Sequence, residues 1–434
     1  MNKYTYILIV SMIYFIYPCC AQILTPEEAV SVALTKNFDI VLAKQAADIA
    51  ETYDTKANAG MVPVINLTTG DVFNLNNINQ KFTTGQEVIK NWVPVNSFSA
   101  GVNMNWTVFD GLKMYATKER LEQLALLGDL QVKQQVQNTV AEVLQQYYEV
   151  VRQKQQIAAL KVSLEISTER VQLAQAKFDV GYSDKTPLLQ AKVDLSAQQV
   201  SLNKQETLLE QSKIMLNQLL GRDPLITFDV VDTIIIQYVP NVALIQDSIS
   251  TNHYSIQQAL KNIEILQLER KEINAQKLPK ISLSSGYNFS QNNSKAGLQL
   301  FSRSYGPTVG VNASISLFNG GLVKNQLEIS SINIASQQIE LEQVKNNLSS
   351  TALMAYKEYE NAMTALKLNE ENVGVAKENV LVTMERLRLN QANTLEIKQA
   401  QSSYELAMYY VVLARYEAKI AEINLRKLLN NLVQ

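Results

Sequence analysis

The decapeptide MVPVINLTTG around Pro63 returns as KLPKISLSSG around Pro279, and the chain goes on repeating itself from there. WTVFDGLK, ending at Lys113, is answered by ISLFNGGLVK, ending at Lys324. AKFDVGYSDKTPLLQAK around Gly181 matches ERLRLNQANTLEIKQAQ around Asn390, and NQLLGRDP matches RKLLNNL. Asn37, Ile40 and Pro63 map onto His253, Ile256 and Pro279 with one offset. Phe109, Gly181, Ala191 and Leu220 map onto Phe318, Asn390, Ala400 and Leu429 with a slightly smaller one. A period near half the chain is too long for a solenoid repeat of about 20–50 residues. It reads as a duplicated domain, which points to an internally pseudo-symmetric body.

Composition narrows what that body does. Only 18% of the 434 residues are charged, the formal net charge is −2, and no Lys/Arg run occurs. Phosphate neutralisation, and with it nucleic-acid binding, has no footprint here. The polar surface comes from amides and hydroxyls, which suits a wetted wall better than an electrostatic docking face.

The first 21 residues read as a secretory leader. Lys3 supplies the positive start, YILIVSMIYFIY is an apolar stretch too short to span a bilayer, and PCCAQ offers small residues for cleavage after Ala21. Cys19 and Cys20, the two cysteines of the chain, fall inside the removed piece, so no disulfide framework is expected. The alternative is that Cys19 or Cys20 carries a lipid anchor. No later stretch approaches the roughly 18 apolar residues of a membrane helix.

Short alternating segments precede each long helical run. Phe98, Ala100, Val102, Met104, Trp106 and Val108 are interleaved with Ser99, Gly101, Asn103, Asn105 and Thr107. In the second copy Pro307, Val309, Val311, Ala313, Ile315 and Leu317 alternate with Thr308, Gly310, Asn312, Ser314 and Ser316. Period two over such a length is a strand with one apolar and one polar face. Four strands are expected, at 62–76, 97–109, 280–291 and 304–318, with NLNNINQKFTTGQEVIKNWVPVNS and SQNNSKAGLQLFSRS as longer loops. Their length suits a tilted crossing of a bilayer, and a small uncharged polar face suits a watery lumen. A soluble sheet with one buried face gives the same pattern. If the strands lie in lipid, four cannot close a barrel with a lumen and open edges are not tolerated, so several chains must share one barrel.

Between Leu112 and Val180 there is no proline and one glycine, Gly128; between Leu322 and Leu389 there is again no proline and one glycine, Gly374. Each run predicts a helix, 112–180 and 322–389, about 100 Å long at 1.5 Å per residue. A second helix follows each, at 187–220 and 394–429. Val132, Val136, Val140, Val143, Tyr147 and Val151 step by three and four, as do Leu341, Val344, Leu348, Ala352, Ala355, Tyr359, Met363 and Leu366. These are coiled-coil-like seams. The tips, 181–187 and 390–394, are equivalent: Gly181 stands where a helix end wants a left-handed residue, Asn390 is the next-best residue for it, and Pro187 starts the following helix. The halves divide at 22–221 and 247–434, with 222–246 as a short extended piece between them.

Catalytic constellations are missing. The one histidine, His253, answers to Asn37 in the repeat, so the position calls for a helix cap. There is no phosphate-cradling glycine loop and no metal-ligand cluster, and Glu27/Glu28 and Glu370/Glu371 sit on helical runs with solvated faces. No cofactor and no enzyme activity are expected.

Leader, duplicated strand–strand–long helix–tip–helix units and two-faced strands together resemble the TolC-like outer-membrane efflux family. LTPEEAVSVALTKN near Thr25, WTVFDGLK, ISLFNGGLVK, AKFDVGYSDKTPLLQAK and LNQLLGRDP carry the resemblance, over essentially the whole mature chain. It implies a mainly α fold with membrane β: a duplicated long-helix α-barrel reaching into the periplasm, with four strands per chain contributing to a trimeric 12-stranded barrel held in outer-membrane lipid. It also implies a homotrimer serving a periplasmic adaptor and an inner-membrane transporter, with the helical tips as the entrance. The family's entrance carboxylates fall on Glu396 and Gln399 here, with Pro187 in the first-copy place; one acid is kept and one is an amide. The family's interprotomer ties at the entrance are missing, since Asn393 and Leu387 occupy those positions. Gly181, Ser183, Asp184, Lys185, Asn390 and Gln391 are the expected adaptor contacts. Exit ducts for small molecules or ions and ducts for type I protein secretion share these features, and a periplasmic coiled-coil scaffold is the alternative of another class.

Overall fold

The computed structural model describes residues 23–238, 240, 253–297 and 299–432. The leader, with Lys3, Cys19, Cys20 and Ala21, lies outside the described residues, as do Val239 and residues 241–252 of the stretch between the halves. The chain divides into two compact units, one of residues up to Ala43, Val132–Tyr254 and Lys345 onward, the other of Lys44–Gln131 and Ser255–Val344.

The second of these holds the sheet. Strands β2 (Val64–Lys81), β3 (Glu87–Asp110), β5 (Lys280–Ser294) and β6 (Phe301–Ser314) pair antiparallel in the order β2-β3-β5-β6. The two hairpins of the duplication thus lie side by side, and the outer strands β2 and β6 each present an unpaired edge. Register makes the two faces explicit. Leu67, Val102, Tyr287 and Pro307 form one cross-strand row; the next is Thr68, Gly101, Asn288 and Gly306. Period-two geometry sends these rows to opposite faces. The apolar face is bare, with Leu67, Val309 and Val311 more than 70% exposed. On the polar face a Cβ at Gly101 would collide with the Asn288 carboxamide. Glycine there lets the amide lie flat against the wall.

The strands correct the expected boundaries. The first hairpin was to end at 76 and resume at 97; instead the ladder climbs to Lys81 and returns from Glu87, through a turn in which the Phe82 amide donates to Gln86 O at 2.8 Å. The expected loop is a two-stranded ribbon. Its pairing is a main-chain property, and the irregularity between Asn76 and Ile78 breaks the side-chain period that would have betrayed it. β5 continues to Ser294 and β6 begins at Phe301, narrowing the second expected loop as well. In the other direction β6 stops at Ser314, although alternation runs on to Leu317. Ser314 pairs with Lys280, the first residue of β5, so no neighbour remains for Ile315–Phe318. Leu317 and Phe318 are left 92% and 88% exposed.

The same unit includes α5 (Tyr254–Ala275) from Ser255 onward and the opening parts of α3 (Lys113–Asp179) and α6 (Leu322–Arg388). Asp110 accepts the Met114 amide at 3.1 Å and so caps the start of α3.

The first unit is helical around a buried seam. α1 (Pro26–Lys36) starts with a capping box, Glu28 N donating to Thr25 Oγ1 at 3.2 Å and Thr25 N to Glu28 Oε2 at 3.1 Å. Ala29 and Ala33 of α1 meet Val143, Tyr147, Val150 and Val151 of α3 and Leu216 of α4 (Thr186–Leu219), all essentially inaccessible. Asn37 caps α2 (Phe38–Tyr53), accepting from Asp39 N and Ile40 N, and donates to Leu219 O at 2.7 Å. His253 stands just before α5, where a cap belongs, and is buried; burial, then Lys427, lowers its affinity for a proton. A short parallel pair joins β1 (Ile23–Leu24) to β4 (Asp229–Val230). Ala352, Ala355 and Tyr359 of α6 bury against Ala421 and Leu425 of α7 (Thr394–Leu428).

Candidate entrance at the helix tips

Each long helix ends by the same device. Gly181 has φ 73° and Asn390 φ 60°. In both, the next amide folds back on the helix: Tyr182 N donates to Lys177 O at 2.9 Å, and Gln391 N to Arg386 O at 2.7 Å. This reversal needs a left-handed residue, free for glycine and tolerable for asparagine. The returning helices start differently. Asp184 Oδ1 accepts the Thr186 amide at 2.8 Å ahead of α4, and Lys185 gives no side-chain cap. Asn393 caps α7 outright, its Oδ1 accepting from Leu395 N and Glu396 N at 2.9 Å each.

Glu396 therefore stands in the first turn of α7. Its carboxylate accepts from Asn393 N at 3.3 Å and meets Arg386 at 3.3 Å. Gln399 is exposed one helical turn on. Pro187 is half-buried and lines a cavity of about 260 Å3 between the tips, together with Leu173, Tyr182, Ser183, Leu387 and Asn393. Gly181, Asp184, Lys185 and Gln391 are exposed, and Ser183 donates to Asp184 O at 3.3 Å. The structure thus gathers Pro187, Asn390 and Asn393 around one cavity and leaves Glu396 and Gln399 on the α7 surface.

Sequence reasoning missed the groups that tie the tips together. Arg170 of α3, buried, donates to Gln401 Oε1 of α7 at 2.7 Å and to Asp194 of α4 at 3.1 Å. Lys398 holds the other oxygen of Asp194 at 2.9 Å. Gln401 in turn donates to Ser167 Oγ at 2.6 Å. Burial opposes ionisation of Asp194, but hydrogen bonds from Lys398, Gln190 and Arg170 outweigh it and hold the carboxyl below the ordinary range. Lys177 donates to Leu387 O at 2.7 Å, and Arg388 meets Glu169. A serine pair spaced by four on a helix opposite a glutamine was the available signal. It is too common to single out.

Among the described residues no helix is long and apolar enough to cross a membrane, and no cluster of His, Cys, Asp and Glu could hold a metal ion.

The model of the family described as Outer membrane efflux protein matches residues 29–222 and 244–431, both halves of the duplication. The chain is 21% identical over 324 residues to the outer membrane efflux protein BepC of Brucella suis biovar 1, covering 74% of this chain and 70% of that protein. In fold it is similar to the CmeC outer membrane channel of Campylobacter jejuni, with a TM-score of 0.78 at 15% identity, over 94% of this chain and 85% of that one. The outer membrane protein VceC of Vibrio cholerae superposes with a TM-score of 0.72 at 15% identity, over 93% and 96%. This is a family of channels rather than enzymes. The chain belongs to the outer membrane efflux protein family, and its place is the outer membrane.

Proposed function

We propose that this protein is the exit duct of a tripartite efflux system, passive itself and gated at its tips. The observation that carries the reading is the sheet: one bare apolar face, one polar face uncharged above its foot, and an unpaired edge on each side. Lipid tolerates no open edge, so the edges of β2 and β6 close on other copies. Three copies give twelve strands around a watery lumen and continue as a helical tunnel in the periplasm. Gly181, Ser183, Asp184, Lys185, Asn390 and Gln391 face a periplasmic adaptor that couples the duct to an inner-membrane pump. Glu396 and Gln399 ring the entrance, with Asn393 and Pro187 beside them. The duct performs no chemistry on what it carries, small molecules or ions.

Light scattering on protein extracted from outer membranes, corrected for detergent, tests the assembly. A particle of three copies released only by detergent is expected; a soluble monomer or dimer would return the sheet to ordinary status. Glu396→Lys tests the entrance. It should lower the conductance of cations and their block of the pore, and unchanged currents would leave Glu396 as a capping acid stabilised by the helix dipole.

A further inference from the structure

Over most of their length the paired rows of the polar face carry no charge. Residues 64–76 of β2, 95–107 of β3, 282–294 of β5 and 302–314 of β6 show only Asn, Ser, Thr, Gly and Val on that side. Charge enters at the foot of β5, where Lys280 stands cross-strand to Asp110 and Ser314. It opens onto a cavity of about 570 Å3 where the strands give way to helices. Lys113, the first residue of α3, and Arg120, two turns on, line the same cavity, and so does Glu272 of α5. Three cations face two acids, so the wall carries one positive charge in excess. Arg120 Nε donates to Glu272 Oε1 at 2.7 Å, and the two oxygens of Asp110 accept the Met114 amide at 3.2 and 3.1 Å. Among the described residues, Lys113 and Lys280 have no carboxylate within salt-bridge distance. The hydroxyl of Ser314 adds a neutral donor to the wall, while that of Thr117 donates to Lys113 O at 3.0 Å.

We propose that this cavity is an anion-binding station in the duct, taking carboxylate- or phosphate-bearing solutes between Lys113 and Lys280. The inference rests on the duct reading, which places the polar face toward the lumen. An ammonium is a compact point charge that recognises phosphate or carboxylate without fixed geometry, as a transit site requires. Repeated in each copy, the lysines form a positive ring between an uncharged barrel wall and the helical tunnel. Charge of one sign in a confined aqueous passage concentrates counter-ions there. At about 0.1 M salt the Debye length is about 10 Å, so the ring acts across its own neighbourhood and no further.

The test is the reversal potential of the full-length protein in planar bilayers under a KCl gradient, with inorganic phosphate as a second probe. The wild type should favour chloride over potassium, and millimolar phosphate on the barrel side should reduce its unitary current. Lys113→Gln and Lys280→Gln should each lower the chloride-to-potassium ratio severalfold and weaken the phosphate effect, while Lys280→Arg keeps both. Unitary currents with an unchanged ratio in both glutamine variants would overturn the station alone. No currents from a three-copy particle would overturn the duct reading, and the station with it.

Discussion

Arg170 and Gln401 lie 231 residues apart in the chain and share a 2.7 Å hydrogen bond inside the helical body, each about 5% exposed or less. One comes from the long helix of the first copy and the other from the returning helix of the second. The bond welds the two halves of the duplication near the tips, between two buried side chains.

Loss of that amide should be felt. Gln401→Leu strips an acceptor from a buried guanidinium and a donor from Ser167, a loss of about 2 kcal/mol for a buried hydrogen bond to a charged group. Thermal unfolding in detergent would show it; a change under about 0.5 kcal/mol would mean that Arg170 finds another acceptor. A double-mutant cycle with Arg170→Met would separate the pair from its neighbours.

Asp194 makes the same region sensitive to acid. Its folded carboxyl is held below the unfolded value, so its contribution is present above the unfolded value, near pH 4, and fades as pH falls through the folded one. Between pH 6 and pH 3 the unfolding temperature of the wild type should drop further than that of Asp194→Asn. Parallel curves would show that another carboxylate governs acid stability.

Tyr147 tests the buried core of the first unit. Its hydroxyl donates to Leu24 O at 2.7 Å and accepts from Val231 N at 3.4 Å. Burial, reinforced by Glu27 and Asp229, pushes the phenol up to about 12. The raised value makes its contribution complete below the unfolded value of about 10 and lost as pH climbs through the folded one. Tyr147→Phe should lower stability by about 1–3 kcal/mol, because a buried carbonyl is left bare. It should also shrink the last tyrosinate step of the alkaline absorbance titration, which Tyr147 shares with Tyr148 and Tyr416, both raised by burial to about 12 as well; an undiminished step would show that Tyr147 ionises earlier.

Asn393→Ala removes both cap bonds at the start of α7, worth about 1 kcal/mol, and frees Glu396 from its box. Amide exchange at Leu395 and Glu396 should accelerate while the rest of α7 keeps its protection. Unchanged exchange would mean that Arg386 and the dipole hold the turn without the cap.

The long helices were legible because proline and glycine are local vetoes. A run of some seventy residues without a proline has few other options, and Gly181 and Asn390 advertise a left-handed turn through their own backbone preferences. The two faces of the strands were legible for a related reason, since alternation records burial directly. The ribbon beyond Asn76 was not, because main-chain pairing leaves no mark on a sequence whose two sides are both wet. Nor was the end of β6, whose apolar alternation outlasts the strand that pairs with it.

Taken alone, the sequence determined duplication, helix, turn and strand face, all of which depend on a residue and its near neighbours. Tertiary structure decided where strands stop, that Ile23–Leu24 pairs with Asp229–Val230, and that Arg170, Asp194, Lys398 and Gln401 meet. It also decided which lysines stay unmatched: Lys113 and Lys280 look like any others until folding sends the nearby acids to Met114 and Arg120. Such pairings depend on which distant group arrives first within reach of a hydrogen bond, and only the folded chain sets that distance.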